Sequence, residues 1–311
     1  MIKVSNLSKS FGPFSALQNI NFEINKGELV GLLGPNGAGK TTTMRLLTGY
    51  YSPSQGKIEI NGFDLKDNLK PAQNSIGYLP ESTALYQDML VSDYLVFISS
   101  SFDVNKNQLT SGIDYAVQVT GIEDYFYRPI SHLSKGYKQR VALAATLIHN
   151  PSILILDEPT SGLDPNQILE IQNLIKELAK EKTIILSTHI LSEIENIAQR
   201  AIIIAKGKIV LDSPLAKLTE LTQGGYKIHV RIKGNHPESA DSLQHIFSEP
   251  HEKVNLISSS EKETVLTLQS PAHHGERIYQ AAVEKGWILR ELYAEKESLQ
   301  DVFRELTGSK N

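Results

Sequence analysis

About the first 215 residues alternate between apolar runs of strand length and segments with helical periodicity, which indicates an α/β domain. Glu28–Leu33 predicts a buried strand that enters a glycine-rich turn, and a helix is expected from Thr41 to Leu47. Three more apolar runs predict strands at Ile153–Leu156, Thr183–Leu186 and Ala201–Ile204. Because these runs do not alternate with polar residues, they favour a parallel sheet that is covered on both faces.

Two regions interrupt this pattern. Lys57–Asn61 alternates with period two and ends at Gly62, which predicts an antiparallel strand. From Val91 to about Asn150 there is no convincing strand pattern, and Ser92 is expected to cap a helix there. A second helix is predicted from an apolar face made of Val141, Ala144, Ala145 and Ile148. We therefore expect a helical insert over about residues 91–150.

A change of pattern near Leu215–Gly225, where Gly224 and Gly225 follow a short polar segment, predicts a domain boundary. We divide the chain into residues 1–220 and an accessory domain at 221–311. The accessory domain is predicted to have the order β-α-β-β-α-β, which suggests a small ferredoxin-like fold. The predicted elements are Tyr226–Ile232, Pro237–Phe247, Val254–Ser258, Thr264–Leu268, Glu276–Lys285 and Trp287–Leu292. A last helix is striped by Leu299, Val302, Phe303 and Leu306.

Composition narrows the classes of function. The chain has no cysteine, which excludes disulfides, thiolate metal sites and cysteine nucleophiles. A formal net charge of −4 gives no basic footprint for nucleic-acid binding. No apolar run approaches the roughly 18 residues of a spanning helix, and the N-terminus lacks the apolar stretch of a signal peptide. Any association with a membrane is therefore expected to depend on another polypeptide.

The glycine-rich turn carries the clearest chemical signal. It matches the pattern G-x-x-x-x-G-K-[ST] with Gly34, Pro35, Asn36, Gly37, Ala38, Gly39, Lys40 and Thr41, followed by Thr42. The glycines let backbone N–H groups converge on phosphates, and the following helix directs its N-terminal dipole at the same anion. Lys40 is expected at the β- and γ-phosphates and Thr41 on Mg²⁺. A plain strand-to-helix turn is the alternative, but the predicted strand and helix are the context that the motif requires.

Polar residues follow two of the predicted strands. Asp157 and Glu158 end an apolar strand, where an aspartate can hold Mg²⁺ and the next carboxylate can take a proton from the attacking water. His189 ends another strand, and the carboxyl ends of parallel strands meet at the rim where ligands bind. An acidic turn and a structural histidine are the alternatives. Beside a phosphate loop, we favour the functional interpretation of all three.

A second anion-binding helix start is predicted at Leu133–Arg140, which we name the signature segment. Ser134 is a natural N-cap, and Gly136 permits close backbone approach before the helix continues. Taken alone, this segment is an ordinary capped helix.

Together, these motifs resemble the nucleotide-binding subunits of ABC transporters over the whole first domain. The order of phosphate loop, signature segment, Asp157-Glu158, D-loop (Ser161–Asp164) and switch histidine (His189) is that of the family. The resemblance implies an ABC-type P-loop NTPase domain with an antiparallel β subdomain and a helical insert, followed by the small α+β domain. It also implies ATP and Mg²⁺ as cofactors, and Phe11 as the aromatic residue that stacks on adenine; a core Phe is the alternative there.

The resemblance further implies partners. Ser134 and Gly136 of one subunit would close over the γ-phosphate held by a second subunit, with a homodimer favoured. A closer similarity to exporters paired with ABC-2-type permeases rests on Leu133–Tyr137, Asp164–Gln167, Ser187–Glu193 and the ending Ser298–Gly308. It implies a peripheral position at the cytoplasmic face of the cell membrane, ATP hydrolysis that drives export, and no nucleic-acid partner.

Two departures from the family pattern stand out. The signature segment has Lys135 and Tyr137 where many members have Gly and Gln, and Glu81 aligns with the usual Q-loop glutamine. Glu81 is a possible Mg²⁺ ligand, but its carboxylate would add negative charge beside the phosphates. We therefore expect Glu81 to act as a residue of the coupling loop. A soluble ABC-type switch that acts on a ribosome or nucleic-acid complex is the alternative function. Such relatives usually carry two ATPase units or basic surfaces, and neither feature is present in this sequence.

Overall fold

The computed structural model describes residues 1–102, 106–222, 225–249 and 252–296, together with Phe303 and Thr307. The chain divides into two compact units, of which the first contains Met1–Leu215 and the second runs from Ala216 to Glu305. Gly224 of the predicted boundary lies outside the described residues. So does most of the ending Ser298–Gly308, including Leu299, Val302 and Leu306 of the predicted last helix.

The helices and strands of the described residues are numbered in chain order. The strands are β1 (Ile2–Phe11), β2 (Phe14–Ile24), β3 (Leu29–Leu33), β4 (Gln55–Ile60), β5 (Phe63–Asp64), β6 (Ile76–Leu79), β7 (Ile153–Asp157), β8 (Thr183–Thr188), β9 (Arg200–Ala205), β10 (Lys208–Pro214), β11 (Tyr226–Lys233), β12 (Lys253–Ser259), β13 (Glu263–Ser270) and β14 (Leu289–Lys296). The α-helices are α1 (Lys40–Leu47), α2 (Leu69–Gln73), α3 (Val91–Ser99), α4 (Lys106–Thr120), α5 (Lys135–Leu147), α6 (Pro165–Ala179), α7 (Leu191–Glu195), α8 (Leu215–Thr222), α9 (Ser239–Ile246) and α10 (Gly275–Glu284).

A six-stranded sheet in the order β10-β9-β3-β8-β7-β6 forms the centre of the first unit. The pairs from β9 to β6 are parallel, and the edge strand β10 runs antiparallel to β9. Every residue of β3, β7 and β8 is buried, as their continuously apolar sequences predict. Because these strands are parallel, the segments that follow Leu33, Asp157 and Thr188 meet at one edge of the sheet.

A second sheet of the first unit, β2-β1-β4-β5, is antiparallel throughout. It contains the strand predicted at Lys57–Asn61 and confirms its type. This sheet is linked to the phosphate loop through Gly207, in the turn between β9 and β10. Gln18 N donates a 2.8 Å hydrogen bond to Gly207 O, and Gly207 N donates a 3.0 Å hydrogen bond to Ala38 O of the loop. Ala16 and Leu17 are thereby held beside the start of α1.

The region from Val91 to Asn150 is helical, and its described residues contain no strand longer than a single bridge. The expectation that Ser92 caps a helix is wrong, because α3 begins at Val91 with Leu90 at the cap position. Val91 N and Ser92 N donate hydrogen bonds to the carbonyl oxygens of Arg128 and Phe126. Backbone from a distant part of the chain therefore accepts the hydrogen bonds of the first helical turn, in place of a capping side chain. Ser134 does cap α5, since its Oγ accepts a 3.4 Å hydrogen bond from Tyr137 N.

The second unit has the predicted order β-α-β-β-α-β and the antiparallel sheet order β12-β13-β11-β14. Its core includes Ile228, Leu266 and Phe247. The last strand begins at Leu289 and not at Trp287 as predicted. Trp287 N donates a 2.8 Å hydrogen bond to Ala282 O, which ends α10, and the indole joins the core. Among the described residues, no helix has both the length and the apolar character needed to cross a bilayer.

Candidate active site

The phosphate loop connects β3 to α1, and its glycines are required for backbone reasons. Gly37 and Gly39 have φ values of +77° and +114°, in the region that favours glycine. A Cβ atom at Gly34 would clash with the carbonyl oxygen of Ile204, and one at Gly39 would lie 2.6 Å from Leu17 Cδ2. The loop is therefore pressed against β9 and β2, and side-chain bulk is excluded where backbone N–H groups can meet a phosphate.

Lys40 is the first residue of α1, and its side chain folds back over the loop. Nζ donates a 2.8 Å hydrogen bond to Gly34 O and lies 3.4 Å from Pro35 O. It also lies 3.3 Å from Glu158 Oε1, in an ion pair whose side chains are 6% and 9% exposed. The loop thus presents a buried ammonium group at the position where β- and γ-phosphates are expected.

Asp157 ends β7 beside the start of α1. Its Oδ1 accepts hydrogen bonds from Ser187 Oγ and, at 3.4 Å, from Thr41 Oγ1. Its Oδ2 is buried and has no hydrogen-bond partner among the described residues. Burial raises the pKa of Asp157, while the hydrogen bonds from Ser187 and Thr41 act to lower it. A buried carboxylate oxygen without a donor, next to a threonine hydroxyl, fits a hard cation such as Mg²⁺.

Glu158 is held in an unusual backbone conformation. Its φ is +49°, uncommon for a residue with a side chain, and its N–H donates to Ser187 Oγ at 3.0 Å and to Ser187 O at 3.2 Å. This conformation aims the two carboxylate oxygens at different partners: Oε1 faces Lys40, and Oε2 lies 2.9 Å from His189 Nδ1. The sequence-based grouping of Glu158 and His189 with the phosphate loop agrees with this arrangement.

These side chains surround a cleft of about 460 Å³. Most of its lining residues were predicted as phosphate-loop or catalytic residues, and Glu81 also faces it. The lining residues are Phe14, Ala16, Asn36, Gly37, Gly39, Lys40, Thr41, Thr42, Glu81, Glu158, Ser161 and His189. Ala38 is directed elsewhere: it is 3% exposed and packs into the core of the first unit.

The aromatic residue at the cleft differs from the one selected from the sequence. Phe14 lines the cleft and is 63% exposed. Phe11 is 40% exposed and packs edge-on against Tyr51, with 5.2 Å between ring centroids. Lys9 Nζ lies 5.0 Å from the centroid of the Phe11 ring. Phe11 is thus not a core residue, and its stacking on adenine stays a prediction. Phe14, on the other side of the β1–β2 turn, is a cleft-lining aromatic residue that sequence reasoning did not select.

The signature segment is placed away from this cleft. Neither Ser134 nor Gly136 is among the described residues that line the cleft. Gly136 is buried, and a Cβ atom there would lie 2.9 Å from Gln167 Cδ of α6. The structure therefore brings together every predicted catalytic and metal-binding residue of the chain but leaves the two predicted γ-phosphate contacts of the signature segment apart from them.

Known proteins resemble the chain in both sequence and fold. A family model described as ABC transporter matches residues 17–161. The chain is 45% identical over 210 residues to the ABC transporter ATP-binding protein MJ1023 of Methanocaldococcus jannaschii, covering 67% of this chain and 76% of the relative. It is 31% identical over 310 residues to the bacitracin transport ATP-binding protein BcrA of Bacillus licheniformis, covering 99% of this chain and 97% of BcrA.

A solved structure shows the same fold. The ATP-binding cassette MJ0796, described as a dimer in a post-hydrolysis state bound to ADP and Pi, is 25% identical with a TM-score of 0.62. The match covers 69% of this chain and 99% of that one. The protein belongs to the ATP-binding proteins of ABC transporters. The family resemblance inferred from the motifs is confirmed, and with it the predicted fold class.

Proposed function

We propose that the protein is the ATP-hydrolysing subunit of an ABC-2-type exporter. The observation that carries this proposal is the position of Glu158 between Lys40 and His189, at 3.3 Å and 2.9 Å, in a cleft bordered by a phosphate loop. A nucleotide-binding protein without hydrolysis has no need of a carboxylate at the γ-phosphate end of such a cleft. There, a carboxylate repels the phosphates, a cost that a role as general base in hydrolysis would explain.

Hydrolysis needs only a few groups of this chain. A water oxygen attacks the γ-phosphorus, the bond from that phosphorus to the β–γ bridging oxygen breaks, and the proton of the water passes to Glu158. His189 holds the other oxygen of Glu158 and orients the carboxylate. Lys40 and the N–H groups of the phosphate loop stabilise the charge on the phosphate oxygens, so that ADP and phosphate leave.

Thr41 and Asp157 are the residues that would hold Mg²⁺. When bound, Mg²⁺ neutralises charge on the β- and γ-phosphate oxygens. Ser187 fixes the orientation of Asp157 through its hydroxyl, and Oδ2, which has no hydrogen-bond partner among the described residues, is the oxygen that would be available to the cation. Glu81 lines the same cleft and is the further carboxylate that can approach the cation.

We propose that two copies complete each site. Ser134 and Gly136 lie at the start of a 13-residue helix but do not line the cleft of their own chain. A helix start of this kind, with its dipole and N–H groups, suits the γ-phosphate held by a second copy. The dimeric, ADP- and Pi-bound state of MJ0796 supports this arrangement, and a homodimer is the simplest form.

A permease is the proposed second partner. The first unit has an apolar groove of about 520 Å³, whose walls include Tyr78, Thr83, Tyr94 and Ala142. Its walls also include Pro80, directly before Glu81, which the sequence resemblance places in the coupling loop. The similarity to BcrA, a bacitracin transport ATP-binding protein, over almost its whole length supports a role in transport. Export, and a peripheral position at the cytoplasmic face of the membrane, are part of the proposal.

Sedimentation of the purified chain tests the composite site. We expect Glu158→Gln to form dimers with ATP, and Glu158→Gln combined with Ser134→Ala to remain monomeric while still binding nucleotide. Losing the weak 3.4 Å cap should cost at most about 1 kcal/mol of helix stability, so folding is retained. A wild-type chain that stays monomeric with ATP while hydrolysing it at full rate would refute the proposal.

A further inference from the structure

The start of α5 is joined to the loop that follows Glu158. This loop comprises residues Pro159–Asp164. Gln139 Nε2 of α5 donates a 2.8 Å hydrogen bond to the carbonyl oxygen of Pro159. This carbonyl belongs to the residue directly after Glu158, so the contact acts one peptide away from the proposed base.

Two further contacts hold the same pair of segments together. The Lys135 ammonium lies over Gly162 so closely that a Cβ atom at Gly162 would clash with Nζ. Gly162 also has φ +70°, so the backbone favours glycine at this position of the loop. Gly136 is pressed against Gln167, in the first turn of α6 that follows the loop.

Glu158 depends on this support because its own backbone is not in a low-energy region. A residue with a side chain at φ +49° persists only where the surroundings determine it. On one side, its N–H is fixed by Ser187. On the other side, the next carbonyl is fixed by Gln139. The carbonyl oxygen of Glu158 itself accepts a 3.1 Å hydrogen bond from Ser161 N within the loop. Gln139 adds the contact that comes from α5 and not from the central sheet or the loop itself.

We propose that Gln139 is a positioning residue that couples the two nucleotide sites of the dimer. This inference rests on the proposed function, in which the start of α5 covers the nucleotide of the second copy. A shift of α5 on that nucleotide is passed through Gln139 to the Pro159 carbonyl, and thereby to the Glu158 carboxylate in the chain's own cleft. Ser161 of the same loop lines that cleft, so the loop contacts the chain's own site as well.

The coupling predicts a distinct kinetic pattern for Gln139→Met, which keeps the length of the side chain and removes its donor. Loss of one hydrogen bond that orients the base should lower kcat roughly 3- to 10-fold. The KM for ATP should change less than about twofold, because Gln139 does not line the cleft. The Hill coefficient for ATP should fall to about 1. Gln139→Lys, which again offers a donor, should recover part of both losses.

Lys176→Met is the matched control, with the same new side chain at an exposed position of α6, and it should behave as wild type. Hydrogen exchange gives a readout that does not require turnover. In the Glu158→Gln background, ATP should protect the amides of Ser161 and Leu163 when Gln139 is present. The same amides should stay unprotected when Gln139→Met is added, because the donor to the Pro159 carbonyl is then missing.

Three results would overturn the coupling: unchanged kcat and Hill coefficient in Gln139→Met, equal protection of the loop with and without the Gln139 donor, or losses that follow only a lowered melting temperature. Failure of the proposed function looks different. In that case the wild-type chain and Lys176→Met would themselves show no ATP hydrolysis.

Discussion

Lys40 and Glu158 form an ion pair across the phosphate cleft, with 3.3 Å between Nζ and Oε1 and less than a tenth of either side chain exposed. A buried charge is tolerated when a partner compensates it, and each of these groups is the partner of the other. The γ-phosphate of ATP is expected to compete with Glu158 for Lys40. Nucleotide binding and the orientation of the base are thereby linked in a single contact.

Replacing Lys40 by Ala should weaken MgATP binding roughly 10- to 150-fold, because charge-assisted hydrogen bonds contribute about 1.5–3 kcal/mol. The dissociation constant from isothermal titration calorimetry measures this loss. Lys26→Ala, at an exposed position, is the control and should bind normally. Equal affinity in both variants would mean that Lys40 does not contact the phosphates.

Replacing Glu158 by Gln should lower ATP hydrolysis by about 10²- to 10⁴-fold, the usual cost of losing a general base. Nucleotide binding should be retained, because the amide removes a negative charge from the cleft. Phosphate release and ATP affinity are measured on the same sample, with Glu23→Gln, an exposed position on β2, as the control. Hydrolysis at the wild-type rate would disprove the role of Glu158.

Replacing Asp157 by Asn should stabilise the protein in the absence of metal at neutral pH. Burial raises the pKa of Asp157, so the folded state binds a proton more tightly than the unfolded state. Stability is therefore lost as pH rises through the raised pKa, and the neutral amide avoids this loss. Melting curves without metal should show an advantage for Asp157→Asn that shrinks as the pH falls toward the ordinary range of the carboxyl group.

The same variant should lose the stabilisation that Mg²⁺ with ATP gives to the wild type. A ligand that binds only the folded state raises the melting temperature in proportion to its binding free energy. A rise of equal size in Asp157→Asn and wild type would argue against Asp157 as a metal ligand.

Glu252 and His274 pair within the second unit, where Oε1 and Nε2 are 2.6 Å apart. The His274 side chain is only 14% exposed, and the neighbouring His273 packs edge-on against Tyr226. Burial opposes ionisation of Glu252, but hydrogen bonds from the Glu249 backbone, His274 and Ser270 lower its pKa overall.

The lowered pKa of Glu252 predicts a stabilisation that is present above its ordinary pKa and is lost as pH falls through the lowered value. Glu252→Gln should therefore destabilise the second unit at pH 7 by about 1–3 kcal/mol and have little effect in strong acid. Trp287 is the single tryptophan of the chain and lies in the core of this unit, so its fluorescence reports unfolding there. Glu249→Gln is the exposed control; an equal effect of both changes at pH 7 would contradict the prediction.

The features that local sequence patterns determine were predicted best. The phosphate loop, the buried strands and the meeting of Glu158 with His189 follow from apolar runs and from the rule that parallel strands end at one edge. Ser187 was missed, because a serine inside a buried strand has no signal that separates a structural hydroxyl from one that orients Asp157. Phe14 was missed because the register of the β1–β2 turn decides which aromatic residue reaches the cleft.

Element ends were predicted less well where distant backbone decides them. Ser92 has the chemistry of a cap, but the carbonyl oxygens of Phe126 and Arg128 take over that role from another part of the chain. Trp287 has strand propensity, but its N–H closes α10 and its ring fills the core. Neither outcome can be derived from neighbours in sequence, because both depend on contacts formed only after folding.

The short segment after β6 borders two cavities at once. Pro80 and Thr83 belong to the wall of the apolar groove, while Glu81, between them, faces the phosphate cleft. Because the two surfaces share this stretch of backbone, a body seated in the groove cannot displace it without moving a negative charge beside the nucleotide. If a membrane subunit docks in this groove, as we propose, it changes the electric potential at the triphosphate without contacting it.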